Sequence, residues 1–409
     1  MADVERRAAI FAGLLVVAIC NPVVARAATT TDDRDSLQLT LAESLTYDDN
    51  LFRLPAGVTP ATSNGNTARA SLIRVDNLGF SWNKPYSLQQ MHIAADVEHH
   101  HYSNHDFLDF NAVNGSLDWN WSLTPHVTGV ISADRSQTLN SFTDYRNQAA
   151  RNVRTNQNRV AGVDYEAAGS WHVVAAASQY SSVNDDNSQP VEDSYRSHGV
   201  QAGVKYVFSS SSYLSYSEHG ENGEYSGQTL QPATLIDSDF HQRSHELLAV
   251  WALSQQTVLS GRLTNSKRTH PNFSQRDYSG SVGRVGLSLK PTGKITVITS
   301  VGRDFAVYQT AYSNYIATDT ISISPAWQIS AKTALKAKFA RSTRDYLGEP
   351  FGSVPQRKDN VNSSQLEFDW DATRGVSLGA LLRHDSRDST YAGFQFTDTT
   401  AILNLNLTF

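Results

Sequence analysis

The sequence is poor in cysteine and in long apolar runs, and both absences narrow the class of protein. Its single cysteine, Cys20, lies in an N-terminal segment with the composition of a secretory signal. The chain after that segment therefore has no disulfide and no cysteine metal site. No later stretch reaches the roughly 18 apolar residues that a membrane-spanning helix needs. A soluble secreted protein or a β-barrel remains, because the alternating strands of a barrel average to a polar hydropathy.

An excess of basic charge is also lacking. Only 18% of the residues are charged and the formal net charge is −6, so nucleic acid is not expected as a partner. Methionine is scarce, whereas Tyr, Phe, Ser, Thr and Asn are common, and this composition favours strands over helices.

The N-terminal segment has the three parts of a secretory signal. Arg6 and Arg7 supply its positive start, and a mostly apolar stretch follows. Residues 25–27 (Ala-Arg-Ala) place small side chains at the −3 and −1 positions of a cleavage site. The sequence therefore predicts a cleaved signal peptide over residues 1–27 and a single barrel domain over residues 28–409.

Period-two alternation is the main structural pattern in the chain. From residue 37 the odd positions are mostly leucine or tyrosine, and the even positions carry mainly hydroxyls and amides. The same alternation returns at Met91–Val97 and Val200–Phe208. Each such segment is typical of a strand with one apolar face. About eighteen of them predict an all-β, single transmembrane, antiparallel up-and-down barrel, with about sixteen strands as the alternative count.

The connections between these segments alternate in length. Short turns are predicted at residues 83–85, 124–126, 168–169, 209–212, 254–256, 290–293, 328–332 and 372–375. Longer polar stretches are predicted at residues 48–70, 140–150, 184–192, 220–240, 267–275 and 346–359. This order is typical of outer-membrane barrels, which have short periplasmic turns and longer extracellular loops.

The tryptophans support this arrangement. Each of the seven lies within about five residues of a predicted short turn. A girdle at the membrane interface is therefore predicted from Trp82, Trp119, Trp121, Trp171, Trp251, Trp327 and Trp370. Core tryptophans of a soluble sheet, the alternative, would not all lie beside one class of turn.

The C-terminal segment alternates as well and stops on an aromatic residue. Leu405, Leu407 and Phe409 form one face of this final strand. A terminal amphipathic strand of this kind resembles the signal that outer-membrane barrels present to the barrel assembly machinery. We expect it to pair with the first strand, because closure removes both sheet edges.

If the apolar faces meet lipid, the alternate faces line the interior. The predicted pore-lining side chains are Asp96, Glu98, Asp118, Asp134, Arg154, Asp164, Lys205, Glu246, Arg284, Asp304, Lys336, Lys338, Glu367, Asp369, Arg383 and Asp385. So many charges either pair into ladders that plug the barrel or border water. A bore of about eighteen strands exceeds what side chains fill, so a water-filled channel is the favoured interpretation. The mixed charge suits a neutral or weakly charged polar solute.

Several local patterns were considered as sites of other chemistry. In the run His99–His101 alternation sends neighbouring rings to opposite faces, so no metal site is expected there. Asp48-Asp49-Asn50 lacks the spacing of a calcium cage. No Gly-x-Ser-x-Gly elbow is present, and a hydrolase with an outward Ser–His pair is only an alternative. Neither a cofactor nor catalysis is expected.

Three stretches are more distinctive than generic barrel sequence. They are ESLTYDDNLFRLPAG (Glu43–Gly57), RNVRTNQNRVAGVDYE (Arg151–Glu166) and RSTRDYLGEP (Arg341–Pro350). Together they resemble the EpsL family of outer-membrane proteins, which are associated with exosortase-linked exopolysaccharide gene clusters. The resemblance covers the whole chain after the signal, and YDDNLFRLP is its most specific part. It establishes no binding residues for this chain.

The resemblance implies a porin-like channel in the Gram-negative outer membrane that takes part in exopolysaccharide biosynthesis or export. The expected partners are outer-membrane lipid, the polysaccharide and periplasmic export proteins. A general diffusion porin for small polar solutes and a closed structural or adhesive barrel are the alternatives. We expect one loop, residues 48–70 or 220–240, to fold inward as a constriction, and the first is favoured because it carries the distinctive string.

Overall fold

The alternation in the sequence corresponds to one continuous β-sheet in the structure, which is a computed structural model. The structure describes residues 35–62, 65–144, 150–185, 194–208, 212–227, 230–310, 312–352 and 355–409. The predicted signal peptide, residues 1–27, lies outside these ranges.

The sheet contains 18 strands. They are β1 Ser36–Asp48, β2 Ser71–Tyr86, β3 Gln89–Tyr102, β4 Phe110–Thr124, β5 Val127–Leu139, β6 Val153–Ala168, β7 Trp171–Asn184, β8 Tyr195–Val207, β9 Tyr213–Tyr225, β10 Asp239–Ser254, β11 Thr257–Thr269, β12 Tyr278–Thr292, β13 Ile295–Val307, β14 Tyr315–Ser330, β15 Thr333–Leu347, β16 Lys358–Thr373, β17 Val376–Ser389 and β18 Phe396–Thr408.

Each strand pairs antiparallel with the next one along the chain, and β18 returns to β1. The closing register runs from Thr40 opposite Thr408 to Asp48 opposite Thr400. Closure leaves no free edge to pair with another chain. The prediction of an all-β, antiparallel, transmembrane barrel of about eighteen strands is confirmed.

The apolar face of the strands is the outer one. Leu37, Val200 and Leu403 are 65%, 67% and 61% exposed, and other leucines, valines and tryptophans share this surface. A soluble sheet would bury such a band, whereas a transmembrane barrel presents it to lipid. The polar residues at the alternate positions therefore face the interior.

Short turns lie at one end of the barrel, together with the start of β1 and the end of β18, and the longer connections lie at the other. The first turn differs from its predicted position, because β2 continues through Pro85 to Tyr86. β1 accompanies β2 only as far as Asn83, so the missing N–H of Pro85 costs no ladder bond on that side.

The predicted loop at residues 220–240 is also shorter than expected, because β9 extends to Tyr225. Gly223 is required within this strand. A Cβ there would lie 2.2 Å from the ring of Phe240, so only glycine lets that ring pack against the strand.

The main buried apolar cluster lies at the loop end of the barrel. Leu51, Phe52 and Leu54 of the first long connection pack there with Leu108 and Phe142 from two others. The described residues also include two short 3-10 turns, Asp106–Leu108 and Ser274–Arg276. No helix among the described residues is long and apolar enough to cross a membrane.

Candidate functional site: the interior of the barrel

All the charged side chains predicted to line the interior occupy inward strand positions. Asp96 and Glu98, for example, flank Val97, which is 51% exposed on the outer face. The same alternation places the other members of the set inside. Whether they border a water-filled passage stays a prediction.

One side of the interior is acidic. Asp96, Glu98, Asp118 and Asp134 project inward from β3, β4 and β5, and no lysine or arginine occupies an inward position on β2 to β5. Amides are among their partners: Asn114 Nδ2 donates to Asp96 Oδ2 at 2.8 Å. A carboxylate that accepts from an amide keeps its negative charge, and Glu98 in addition lies 3.0 Å from His100 Nε2.

The opposite side carries most of the inward cations, and several of them are paired. Arg284 Nη2 lies 2.6 Å from Asp304 Oδ2, and Lys336 Nζ lies 2.9 Å from Glu367 Oε1. In the order of the ring, β12 to β14 face β3 to β5 across the bore. Carboxylates without an inward lysine or arginine line β3 to β5, whereas cations and carboxylates lie side by side on the opposite half, so the potential across the passage is asymmetric.

Two of the predicted pore-lining residues are closed off from water. Lys205 and Asp164 form an ion pair and are only 3% and 2% exposed. His172 Nδ1 lies 2.6 Å from the other oxygen of the same carboxylate. This group stabilises the wall between β6, β7 and β8 and does not face the bore as an accessible charge.

The segment Asn140–Asp144, between β5 and β6, reaches the far side of the barrel. Asp144 Oδ1 lies 3.0 Å from Arg357 Nη2 and 3.0 Å from Arg387 Nη1. Its other oxygen lies 3.4 Å from Arg344 Nη1. These arginines belong to β15, β17 and the connection before β16, so one carboxylate ties the segment to the opposite wall.

An ion pair with Asp359 and contacts with two aromatic rings hold Arg357 of this cluster in place. Buried Asp359 lies 2.7 Å from Arg357 Nη2, and the Arg357 guanidinium lies 4.0 Å from the Tyr346 ring centroid and 3.7 Å from that of Phe394. Burial alone would raise the pKa of Asp144, but the three guanidiniums outweigh it and hold that pKa well below its usual range.

Apolar packing supports the root of the same segment. The ring centroids of Phe142 and Phe52 lie 4.8 Å apart within the buried cluster. Asn140 Nδ2 donates to Asn184 Oδ1 at 2.9 Å. The segment that reaches the far wall belongs to a different connection from residues 48–70, which the sequence favoured as the constriction. Phe52 of that favoured connection packs against the segment, and its own role as a constriction stays a prediction. The far-wall partners of Asn140–Asp144 lie about 200 or more positions away along the chain, so no local sequence pattern could have identified this segment.

The distinctive string YDDNLFRLP builds the first long connection. Arg53 Nη1 lies 2.9 Å from both Asp48 Oδ1 and Asp398 Oδ1, and so joins the connection to β1 and β18. Asn50 donates to the carbonyl oxygens of Leu54 and Thr397 at 2.9 and 2.8 Å. Asp48, one of the two carboxylates considered for calcium, is thus paired with a guanidinium.

A buried arginine joins three outer connections. The Arg276 guanidinium donates to the carbonyl oxygens of Thr234 and Thr310 at 2.8 and 2.7 Å, and to Asn314 Oδ1 at 2.9 Å. Because no carboxylate compensates for its burial, the pKa of Arg276 is lowered to about 10. Hydrogen bonds from a guanidinium to neutral carbonyl and amide oxygens therefore stabilise the loop end, in addition to its ion pairs.

The histidine run does not converge. His99 and His101 lie 2.7 Å from Asn111 and Asp109 respectively on the outer face. The ring of His100 stacks on Phe110 at 4.2 Å, on the inner side of the wall. Each ring therefore has a separate partner, and the run does not form a common ligand set.

The predicted girdle and assembly residues lie on the outer surface. Trp171, Trp251, Trp327 and Trp370 are 44 to 54% exposed in the half of the barrel near the short turns. Trp82, Trp119 and Trp121 occupy outward positions in the same half, as Leu405 and Leu407 do on β18. Contact with a membrane interface or with the assembly machinery stays a prediction.

Comparison with solved structures finds the same fold in known outer-membrane proteins. The outer membrane protein OpdK from Pseudomonas aeruginosa matches 91% of this chain and 99% of its own, with 10% identity and a TM-score of 0.50. OccK2 (OpdF) from the same organism, solved in complex with glucuronate, matches 92% and 98%, with 10% identity and a TM-score of 0.50. This chain has the fold of these outer-membrane barrels. The sequence matches no protein-family model and no curated protein, so the EpsL resemblance stays a prediction.

Proposed function

We propose that the chain is an outer-membrane diffusion channel for small polar solutes, the function that the sequence analysis kept as an alternative to polysaccharide export. The observation that carries this proposal is the Asn140–Asp144 segment, which extends across the bore and is held by ion pairs on the far wall. A narrowed passage suits small molecules better than an extended polymer, because each added segment of a polymer must pass the same restriction.

The two charged walls suggest which solutes pass. Carboxylates line β3 to β5, and the opposite half carries arginines and lysines beside further carboxylates, so a hydroxylated solute can exchange water for hydrogen bonds on both sides. The likeness to OccK2, whose structure holds the sugar acid glucuronate, supports testing solutes of that size.

Planar-bilayer recording and liposome swelling test the proposal directly. The purified barrel should give discrete conductance steps, and vesicles containing it should admit monosaccharides and sugar acids faster than oligosaccharides. Folded protein that inserts but neither conducts nor admits any solute would contradict the proposal and favour a closed structural or adhesive barrel.

Exopolysaccharide export is the second candidate function, and the resemblance to the EpsL family is what favours it. The string that carries the resemblance includes Asp48 and Arg53, whose contacts anchor a connection to the barrel wall. A deletion strain decides between the two candidates. Polymer trapped in the periplasm would support export, whereas unchanged secretion together with lost solute uptake would support the diffusion channel.

A further inference from the structure

The barrel wall is incompletely paired at one place near the loop end. β12 and β13 pair from Gly283 opposite Arg303 down to their turn. Beyond that point Tyr278–Val282 pairs only with β11, and Asp304–Val307 pairs only with β14. The two strands therefore separate over their last residues, whereas the strands on either side remain paired.

A cavity of about 670 Å³ lies where this separation begins. One row of paired residues along it consists of Val285, Val301, Ile321 and Arg341. The three apolar members are 56%, 55% and 54% exposed. Directly paired residues of antiparallel strands project to the same face, so this row is on the membrane side of the wall.

A second row, closer to the loops, gives the cavity its depth. Leu263, Gly283, Arg303 and Asp319 follow one another across four strands. Gly283 contributes no side chain to this row, and a Cβ there would lie 2.8 Å from the carbonyl oxygen of Arg262. Any side chain at this position would have to displace backbone, so the hollow is fixed by the strand geometry.

The charges at the cavity are net positive. Arg303 Nη2 lies 2.5 Å from Asp319 Oδ2, and both side chains are about half exposed. Arg341 has no ion-pair partner among the described residues. On β15 the outward series changes from Phe339, 50% exposed, to Arg341, which marks the boundary between the apolar belt and the polar rim.

We propose that this hollow binds a phosphorylated glycolipid of the outer leaflet. Its acyl chain lies along Val285, Val301 and Ile321, and its phosphate accepts hydrogen bonds from Arg341 and from the free side of Arg303. Guanidinium groups match phosphate geometry, and the loop end of such a barrel meets the outer leaflet. The site is on the outer wall and is independent of any passage through the bore.

Native mass spectrometry of the detergent-solubilised full barrel tests this site. The protein is incubated with diphosphorylated lipid A, with dephosphorylated lipid A and with phosphatidylglycerol. The wild type should retain one diphosphorylated lipid A in preference to both others. Arg341→Ala should weaken retention at least about tenfold, because a charge-assisted bond to phosphate is lost. Val301→Trp, which fills the hollow and keeps both arginines, should weaken it similarly.

Matched variants on the opposite side of the barrel serve as controls. Arg159→Ala removes an outward arginine of β6, and Val113→Trp enlarges an outward valine of β4 that is 50% exposed. Both should bind like the wild type.

Equal loss of lipid A retention in the test and control variants would overturn the site. Retention of phosphatidylglycerol as strong as that of lipid A would overturn the glycolipid assignment. Heat-modifiable gel mobility establishes that each variant is folded.

Discussion

The carboxylate of Asp144 lies 3.0 Å from the guanidinium of Arg387, 243 positions further along the chain. The contact joins the connection after β5 to β17 on the far side of the ring. A second bond strengthens it, because Arg387 Nη2 donates to the carbonyl oxygen of Thr143 at 2.8 Å. One acidic residue thus holds a segment across the interior.

Asp144→Asn should release this segment. The variant leaves Arg344, Arg357 and Arg387 with one carboxylate fewer, and breaking a buried pair of this kind costs about 3–5 kcal/mol. That loss of binding free energy is large enough for most molecules to have the segment released from the arginines of the far wall. Single-channel conductance in planar bilayers should therefore rise severalfold over that of the wild type.

Asp185→Asn is the matched control for that experiment. It removes a carboxylate from the start of the next long connection, between β7 and β8, away from the arginine cluster. Its conductance should equal that of the wild type. If Asp144→Asn also conducted like the wild type, the segment would not restrict the passage.

The contact should resist mild acid. Because the folded-state pKa of Asp144 is lowered, its stabilising contribution is complete above the ordinary aspartate pKa and is lost only as the pH falls through the folded value. Wild-type conductance should stay constant from neutral pH down to about pH 4 and rise only at lower pH. A rise between about pH 7 and 5 would point to a histidine instead.

Arg53→Ala should destabilise the barrel far more than the loss of an exposed pair. Asp48 and Asp398 would face each other buried and uncompensated, at a cost of about 3–5 kcal/mol. Lys358→Ala breaks the exposed pair with Asp345 at the loop end of the barrel and should cost about 1 kcal/mol or less. Urea unfolding in lipid vesicles, followed by tryptophan fluorescence, measures both.

A further change, Asp398→Asn in the Arg53→Ala background, should recover part of the lost stability, because only one buried carboxylate then remains. Equal effects of Arg53→Ala and Lys358→Ala would show that the first connection is not anchored through Arg53.

The wall near the short turns allows a similar comparison between two inward lysines. Lys205→Met leaves Asp164 buried without its cation and should lower the free energy of unfolding by about 3–5 kcal/mol. Lys336→Met removes a half-exposed cation that bridges Glu367 and Asp369 and, because water reaches this cation, should cost only about 1 kcal/mol. Urea midpoints measure the difference. Similar midpoints would mean that Lys205 and Asp164 are hydrated despite their burial.

The fold was largely predictable from the sequence. Each strand alternates over thirteen to sixteen residues, as at Ser36–Asp48, and this alternation predicts which face meets lipid. A shift of the pairing register by one residue would move all the apolar side chains of the strand to the interior, so the register is strongly specified. The terminal strand and the tryptophans near the short turns carry the same information. Errors were confined to strand ends, as at Pro85, where pairing with one neighbour alone permits proline.

The candidate site was predictable only as a set of inward charges. Alternation places Asp164 and Lys205 inside, but it does not indicate that they bury each other. The split between β12 and β13 also left no trace in the periodicity, because both strands remain paired on their other sides.

By itself the sequence determined a closed antiparallel barrel with an apolar exterior and a polar interior, because these properties depend on a period of two along each strand. Only the tertiary structure decided which connection crosses the bore and which wall is acidic. Closing the ring brings Asp144 to Arg357 and sets β4 opposite β13, and contacts between residues so distant in sequence leave no local pattern.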